Sequence, residues 1–251
     1  MDMTIIKNIP ALRFPEFKGE WKKKKLGEIA IFSKGKGIPK SDISPDGETD
    51  CIRYGELYSF RTTNSLSREK LNYESGAVKN IHYGDIHTKF KPLFDITKEN
   101  VPYIFDGAQI AKIKTENYCQ KGDLVIADAS EDYNDIGKTI EITNLNNEKV
   151  IAGLHTILAR PNFDKISYGF GVFLMKSDSI HFQIRIISQG AKVLGLSSNK
   201  LSNVSVNLPC LAEQTKIADF LSALDDKINH CRVQIEKTEQ WKKGLLQKMF
   251  C

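Results

Sequence analysis

The sequence predicts an α+β (mixed) fold, a sheet-rich globular domain followed by one long C-terminal helix. Two patterns carry that expectation. From about residue 29 to 160, short β-branched and aromatic runs alternate with glycine and asparagine, as strands joined by turns do. After Leu211, apolar residues instead recur at spacings of four and three, with no proline beyond Pro209 and one glycine, Gly244.

Taken in order, residues 1–20 read as an irregular lead-in punctuated by Pro10, Pro15 and Gly19. Trp21 precedes four consecutive lysines, Lys22 to Lys25, which read as a solvated helix face, and Lys25 to Ala30 suggests a short helix or turn. Strands are expected at Ile29–Phe32, Cys51–Tyr54, Val101–Phe105, Ile110–Ile113, Asp123–Ala127, Thr139–Thr143 and Val150–Leu158. Residues 167–188 change to helical period, with Phe170, Phe173, Leu174, Ile180, Ile184 and Ile187 on one side. A short strand at Val204–Leu208 leads into the long helix. The boundaries are therefore a lead-in over 1–20, a globular domain over 21–208 and a helix over 209–251.

That helix would run for about 38 residues and about 57 Å, too long for an ordinary core helix. Its seam passes through Ile217, Leu221, Leu224, Ile228, Cys231 and Ile235, then Thr238, Lys242, Leu245 and Met249. A stripe this narrow on so long a helix calls for a partner helix. Ile217, Leu221, Leu224, Ile228, Ile235 and Leu245 are the expected dimerisation residues.

Composition bounds the class. The chain has 251 residues, of which 41% are hydrophobic and 27% charged, ordinary values for a soluble protein with a real core. No run approaches the roughly 18 apolar residues of a membrane span, and no apolar signal region opens the chain. Cys51, Cys119, Cys210, Cys231 and Cys251 are scattered and odd in number, which suits free thiols in the cytoplasm. The net charge of +5 permits a nucleic-acid partner without requiring one.

Catalytic patterns are few. There is no Pro-Pro, which an amino-methyltransferase motif of the Asn/Asp-Pro-Pro-Tyr/Phe type needs. Gly137-Lys138-Thr139 looks like the end of a phosphate-binding loop, but Asp132 stands where its first glycine belongs. Asp128, Glu131, Asp132 and Asp135 would also repel phosphate, and with Asn134 and Gly137 they read as a turn-forming loop. His155 falls in the apolar run 150–158 and reads as a hydrogen-bonded sheet histidine. No metal site is expected.

Four stretches carry a family resemblance. Leu208-Pro-Cys-Leu-Ala-Glu-Gln-Thr-Lys-Ile-Ala-Asp-Phe-Leu-Ser-Ala-Leu-Asp-Asp-Lys-Ile228 resembles the opening of the long helix in DNA specificity subunits of type I restriction–modification systems. Pro10-Ala-Leu-Arg-Phe-Pro-Glu-Phe17, with Trp21 and Lys25-Leu-Gly-Glu28, resembles the lead-in to a target recognition domain of that family. Gly190-Ala-Lys-Val-Leu-Gly-Leu-Ser-Ser-Asn-Lys-Leu201 resembles the loop before its last strand, and Lys242-Lys-Gly-Leu-Leu-Gln-Lys-Met-Phe250 the end of its helix. The usual family subunit holds two recognition domains and two helices that pair internally. This sequence shows one of each and so resembles a half-length form.

The resemblance implies a non-catalytic subunit that recognises double-stranded DNA and docks a modification (methyltransferase) subunit and a restriction/translocase subunit. It binds no cofactor itself, with S-adenosylmethionine, ATP and Mg on the partners; one recognition domain with one unpaired seam is in turn expected to form a homodimer through the C-terminal helix. Candidate DNA-binding residues lie on loops. Lys34, Lys36 and Lys40 surround glycines that let a phosphate approach the backbone. Arg53, Tyr54 and Arg61 flank a strand end, and arginine can pair with a guanine edge. Lys89, Lys91, Gln189, Lys192, Ser197 and Ser198 complete a basic, hydroxyl-rich set, although a solvated charge is the ordinary explanation for any one lysine. Two other functions compete with this reading: a coiled-coil scaffold and a stand-alone DNA-modifying enzyme.

Overall fold

In the computed structural model the described residues are 10, 12–19, 21–25, 58–61, 63–105, 107–190 and 192–250. The expected strands at 29–32 and 51–54 and the helix or turn after Lys25 lie outside them.

The centre is a five-stranded sheet in the order β2–β11–β7–β9–β5, formed by Tyr58–Arg61 (β2), Thr156–Pro161 (β11), Leu124–Ala127 (β7), Thr139–Asn144 (β9) and Leu93–Asp95 (β5). Only β5 and β9 pair in parallel. Strand alternation sends Leu124 and Ile126 of β7 into one core and Val125 and Ala127 into another. All four are buried, so the segment reads as an unbroken apolar run. The first core is covered by Phe170–Lys176 (α3) and Asp178–Ile187 (α4), the second by Tyr83–Thr88 (α1) and the segment through Phe90, Phe94 and Ile96.

A four-stranded sheet stands beside it in the order β10–β4–β6–β3, from Val150–Ala152 (β10), Lys79–Ile81 (β4), Tyr103–Ile104 (β6) and Leu71–Asn72 (β3). Two strand pairs complete the domain. Ala129–Ser130 (β8) pairs with Leu194–Gly195 (β12), and Lys22–Lys25 (β1) with Ser205–Leu208 (β13).

Several expectations change in detail. The run 150–158 is two strands in two different sheets. The chain leaves β10 at Gly153, where an added Cβ would lie 2.6 Å from Asn80 Nδ2 and 2.6 Å from the Ile81 carbonyl. His155 then turns through a left-handed φ of 55° before β11 begins, so it is a turn residue and not a sheet histidine. Ile110–Ile113 is not a strand. Gly107–Ile110 (α2) is helical, and a spacing of three carries Ile110 and Ile113 to the same small core. Lys22–Lys25 is a strand and not a helix face, because β13 buries Val206 and Leu208 and its backbone groups take this segment as partner. The helical region 167–188 breaks at Ser177, whose ψ of 141° separates α3 from α4.

Glu141 of β9 fixes the near end of α3. Its carboxylate is 2% exposed and accepts the Gly169 amide at 2.5 Å and the Val172 amide at 3.1 Å. Burial outweighs those bonds and pushes its pKa up to about 7. Between its ordinary value of about 4.5 and 7, the unfolded chain releases a proton that the folded chain keeps. Stability should therefore fall across that window by up to about 3 kcal/mol and then level off. Urea titrations at several pH values should show the slope, and Glu141→Gln should remove it. An unchanged slope in the variant would assign it to other groups.

The last helix, Leu211–Met249 (α6), has 39 residues. Its first turns are held by the domain and the lead-in. Gln214 is buried, accepting the Ser167 amide at 2.9 Å and donating to the Lys165 carbonyl at 3.0 Å. Arg13 of the lead-in donates to both oxygens of buried Glu213, at 2.6 and 2.7 Å. Phe14 stacks edge-on against Phe220 at 5.9 Å, and Lys216 pairs with Glu16. From His230 to Phe250 only Gly244 is less than exposed, so the last 20 helical residues project about 30 Å as an arm.

Candidate nucleic-acid interface and helical arm

Lys34, Lys36, Lys40, Arg53 and Tyr54 lie outside the described residues. The remaining candidates occupy three separate places.

The first is a loop-built cleft. Gln189 and Gly195 exchange both backbone hydrogen bonds, at 3.1 and 2.7 Å, closing the tip that carries exposed Lys192 and Val193. Gly190 makes this possible, since at its φ of 146° a Cβ would sit 1.8 Å from the Val193 carbonyl oxygen. The Leu196 amide donates to the Asp128 carbonyl at 2.7 Å and ties the returning chain to the 128–130 segment. Ser197 caps the short helix Ser198–Leu201 (α5) by accepting the Lys200 amide at 3.3 Å, and Ser198 is half-buried. The result is an open cleft of about 500 Å³ that brings Gln189, Ser197 and Lys200 to the same place as Asp128 and His155.

One wall of this cleft was not legible beforehand. His155 is half-exposed, with Nδ1 3.4 Å from Asp128 Oδ1, and the Asp128 amide donates back to the His155 carbonyl at 3.1 Å. Burial raises the Asp128 pKa, while His155 opposes that shift. The Tyr83 ring meets His155 edge-on at 5.3 Å and His87 at 6.0 Å. His82 accepts the Gly84 amide through Nδ1 at 3.1 Å as the cap of α1, and burial lowers its pKa. Gly153, which ends β10 two residues before His155, was the available signal that the histidine sits in a turn.

The second place is the crook between domain and arm. Lys89 and Lys91 line a groove of about 660 Å³ facing Asp225, Asp226 and Arg232 of α6. Lys89 is committed to buried Asp85 at 2.9 Å and to the Tyr73 hydroxyl at 3.3 Å, and those bonds raise its pKa. Arg68 shares Asp85 at 3.1 Å.

The third is Arg61, in β2 opposite Leu158. It is half-buried, with Nε enclosed and without a hydrogen bond, and its charge acts on Asp123. The structure does not bring it to the cleft.

On the arm, Leu224 is 41%, Ile228 47%, Ile235 58% and Leu245 38% exposed. Leu221 is half-buried, and Ile217 packs against the domain's own first core. The open part of the seam therefore begins at Leu224. Among the described residues no helix is long and apolar enough to cross a membrane, and no three metal-ligating side chains gather.

A loop-built cleft thus lies on a mixed sheet domain from which a half-docked helix leaves as an arm. The chain belongs to the family of type I restriction modification DNA specificity domains, whose model matches residues 18–238. It is 26% identical over 197 residues to a Methanocaldococcus jannaschii protein described as the specificity subunit of the type I restriction enzyme MjaX, covering 75% of this chain and 41% of that one. Its fold is similar to that of the S subunit of a type I restriction-modification system from M. genitalium (TM-score 0.50, 13% identity, 89% of this chain and 43% of that one). It is also similar to a chain from a solved type I R-M system studied for complex assembly and conformational transition (TM-score 0.53, 15% identity, 93% and 45%). The chain thus spans under half the length of these relatives.

Proposed function

We propose that this chain recognises a DNA sequence for a type I restriction–modification assembly and is itself non-catalytic. The observation that carries the proposal is the family match across 18–238, which takes in both the cleft and most of the last helix. In this reading the globular part, residues 21–208, reads bases in the major groove while lysines and hydroxyls set its position on the backbone. The helix, within residues 209–251, serves as spacer, dimer seam and docking surface for the modification subunit. S-adenosylmethionine, ATP and Mg act on the partner subunits, and the assembly works in the cytoplasm.

The test is duplex binding by the purified chain, followed by methylation mapping when it is co-expressed with its modification subunit. A specific site, methylated only in the presence of both, is the expected result. No preference for any duplex, or methylation by the chain alone, would overturn the proposal.

Affinity and address should separate. Alanine at Lys34, Lys36 or Lys192 should weaken binding to all sequences alike and reduce the salt slope by about one per lysine. Alanine at a base-reading arginine, for which Arg53 is the remaining candidate, should cost about 1–3 kcal/mol on the target alone. Salt titrations on target and scrambled duplexes distinguish the two, and unchanged binding in every variant would place the DNA face elsewhere.

A further inference from the structure

The His155 turn holds an imidazole at the cleft edge in an arrangement that the core packing does not use. The ring is half-exposed, its backbone is held in the left-handed region, and Tyr83 supports it from the side. Asp128 lies 3.4 Å from Nδ1, and the Asp128 amide is bonded to the histidine's own carbonyl. The backbone bond holds the turn in place, and the carboxylate lies on the Nδ1 side of the ring. When the neutral ring turns Nδ1–H to Asp128, Nε2 carries no proton and is a hydrogen-bond acceptor. Gln189 and Ser197 line the same cleft.

We propose that His155 is a specificity-determining residue whose Nε2 accepts a hydrogen bond from the exocyclic amino group of one adenine or cytosine. In the major groove only adenine N6 and cytosine N4 are donors, whereas guanine and thymine offer acceptors at the matching edge. A histidine oriented by a carboxylate therefore selects amino-bearing bases. Asp128 is the positioning residue. The inference rests on the DNA-recognition reading above.

The test uses the full chain and a target obtained by binding-site selection. Each target adenine is replaced in turn by purine, which lacks the amino group, and each cytosine by 2-pyrimidinone, which also lacks it. Wild-type protein should lose about tenfold in affinity at one position, the scale of a single base-edge hydrogen bond. His155→Gly removes the ring and keeps a left-handed backbone accessible, so folding is preserved. At that one position the variant should bind the natural and amino-less duplexes equally, with the other positions unchanged. Asp128→Ala should reduce the same dependence and no other. Failure of the selection to enrich any duplex would defeat the recognition reading itself, whereas a selected target bound equally with and without each amino group would defeat only this inference. A sequence-specific wild type whose amino-group dependence survives intact in His155→Gly would defeat only this inference, as would a dependence on guanine at the position His155 controls.

Discussion

Arg160→Ala should destabilise the domain by about 3–5 kcal/mol, the scale of breaking a buried ion pair from one side. Arg160 of β11 donates from Nε and a terminal nitrogen to the two oxygens of Asp123, at 3.0 and 2.8 Å, and to the Tyr118 carbonyl at 2.8 Å. Asp123 is 1% exposed, and burial raises its pKa even with the guanidinium in place. Alanine would leave a carboxylate sealed from water and cut the tie to Tyr118. For a chain of this size the melting temperature should drop on the order of 10 °C. Sign and pH are linked. Because the Asp123 pKa is already raised, the deficit should shrink as pH falls and the lone carboxyl takes a proton. Adding Asp123→Asn should recover part of the loss, and a full double-mutant cycle isolates the pair. Melting curves of the four proteins at two pH values decide it, and a loss below about 1 kcal/mol would show that water reaches the site.

The double variant Ile228→Asp, Ile235→Asp should leave the fold intact and abolish self-association. Both side chains are about half exposed on the arm, at 47% and 58%, so their removal takes nothing from the domain core. Against a second copy each would be buried twice in a two-fold pair. At about 1.5–3 kcal/mol for fully burying an isoleucine, of which about half is still to be gained here, four lost contacts amount to about 3–6 kcal/mol, or roughly 10²- to 10⁴-fold in dissociation constant. Sedimentation should show dimers for wild type and monomers for the variant at micromolar concentration. A two-fold pair presents two identical readers, so the wild-type site should be an interrupted palindrome. The variant should keep weak half-site binding and lose tight binding to the whole site. A monomeric wild type, or a variant that still dimerises, would remove the seam from the proposal.

Parts of this architecture were legible because they are local. The strand expected at Asp123–Ala127 forms over Leu124–Ala127, and the last helix announced its length through its period and its lack of proline. Pairing partners were not legible. Lys22–Lys25 carries no strand propensity, yet the edge of β13 recruits it. Tyr58–Arg61, Lys79–Ile81 and Leu93–Asp95 are too short and mixed to stand out, and their strand character comes from the neighbours they meet. At the cleft, Gln189 and Ser197 were legible as polar loop residues. His155 was misplaced, because a glycine just after one strand and a histidine in the turn before the next look like a single run in sequence.

The sequence by itself determined the mixed class, the arm and its apolar seam, since period and composition are properties of neighbouring residues along the chain. Only the tertiary structure decided that Ile217 is spent inside its own domain while Ile228 and Ile235 stay open. It alone also decided that Asp128, His155, Gln189 and Ser197 share one cleft. Those outcomes depend on how distant strands pair and where a helix docks, and in sequence they are separated by whole strands and helices whose packing has to form before the residues meet.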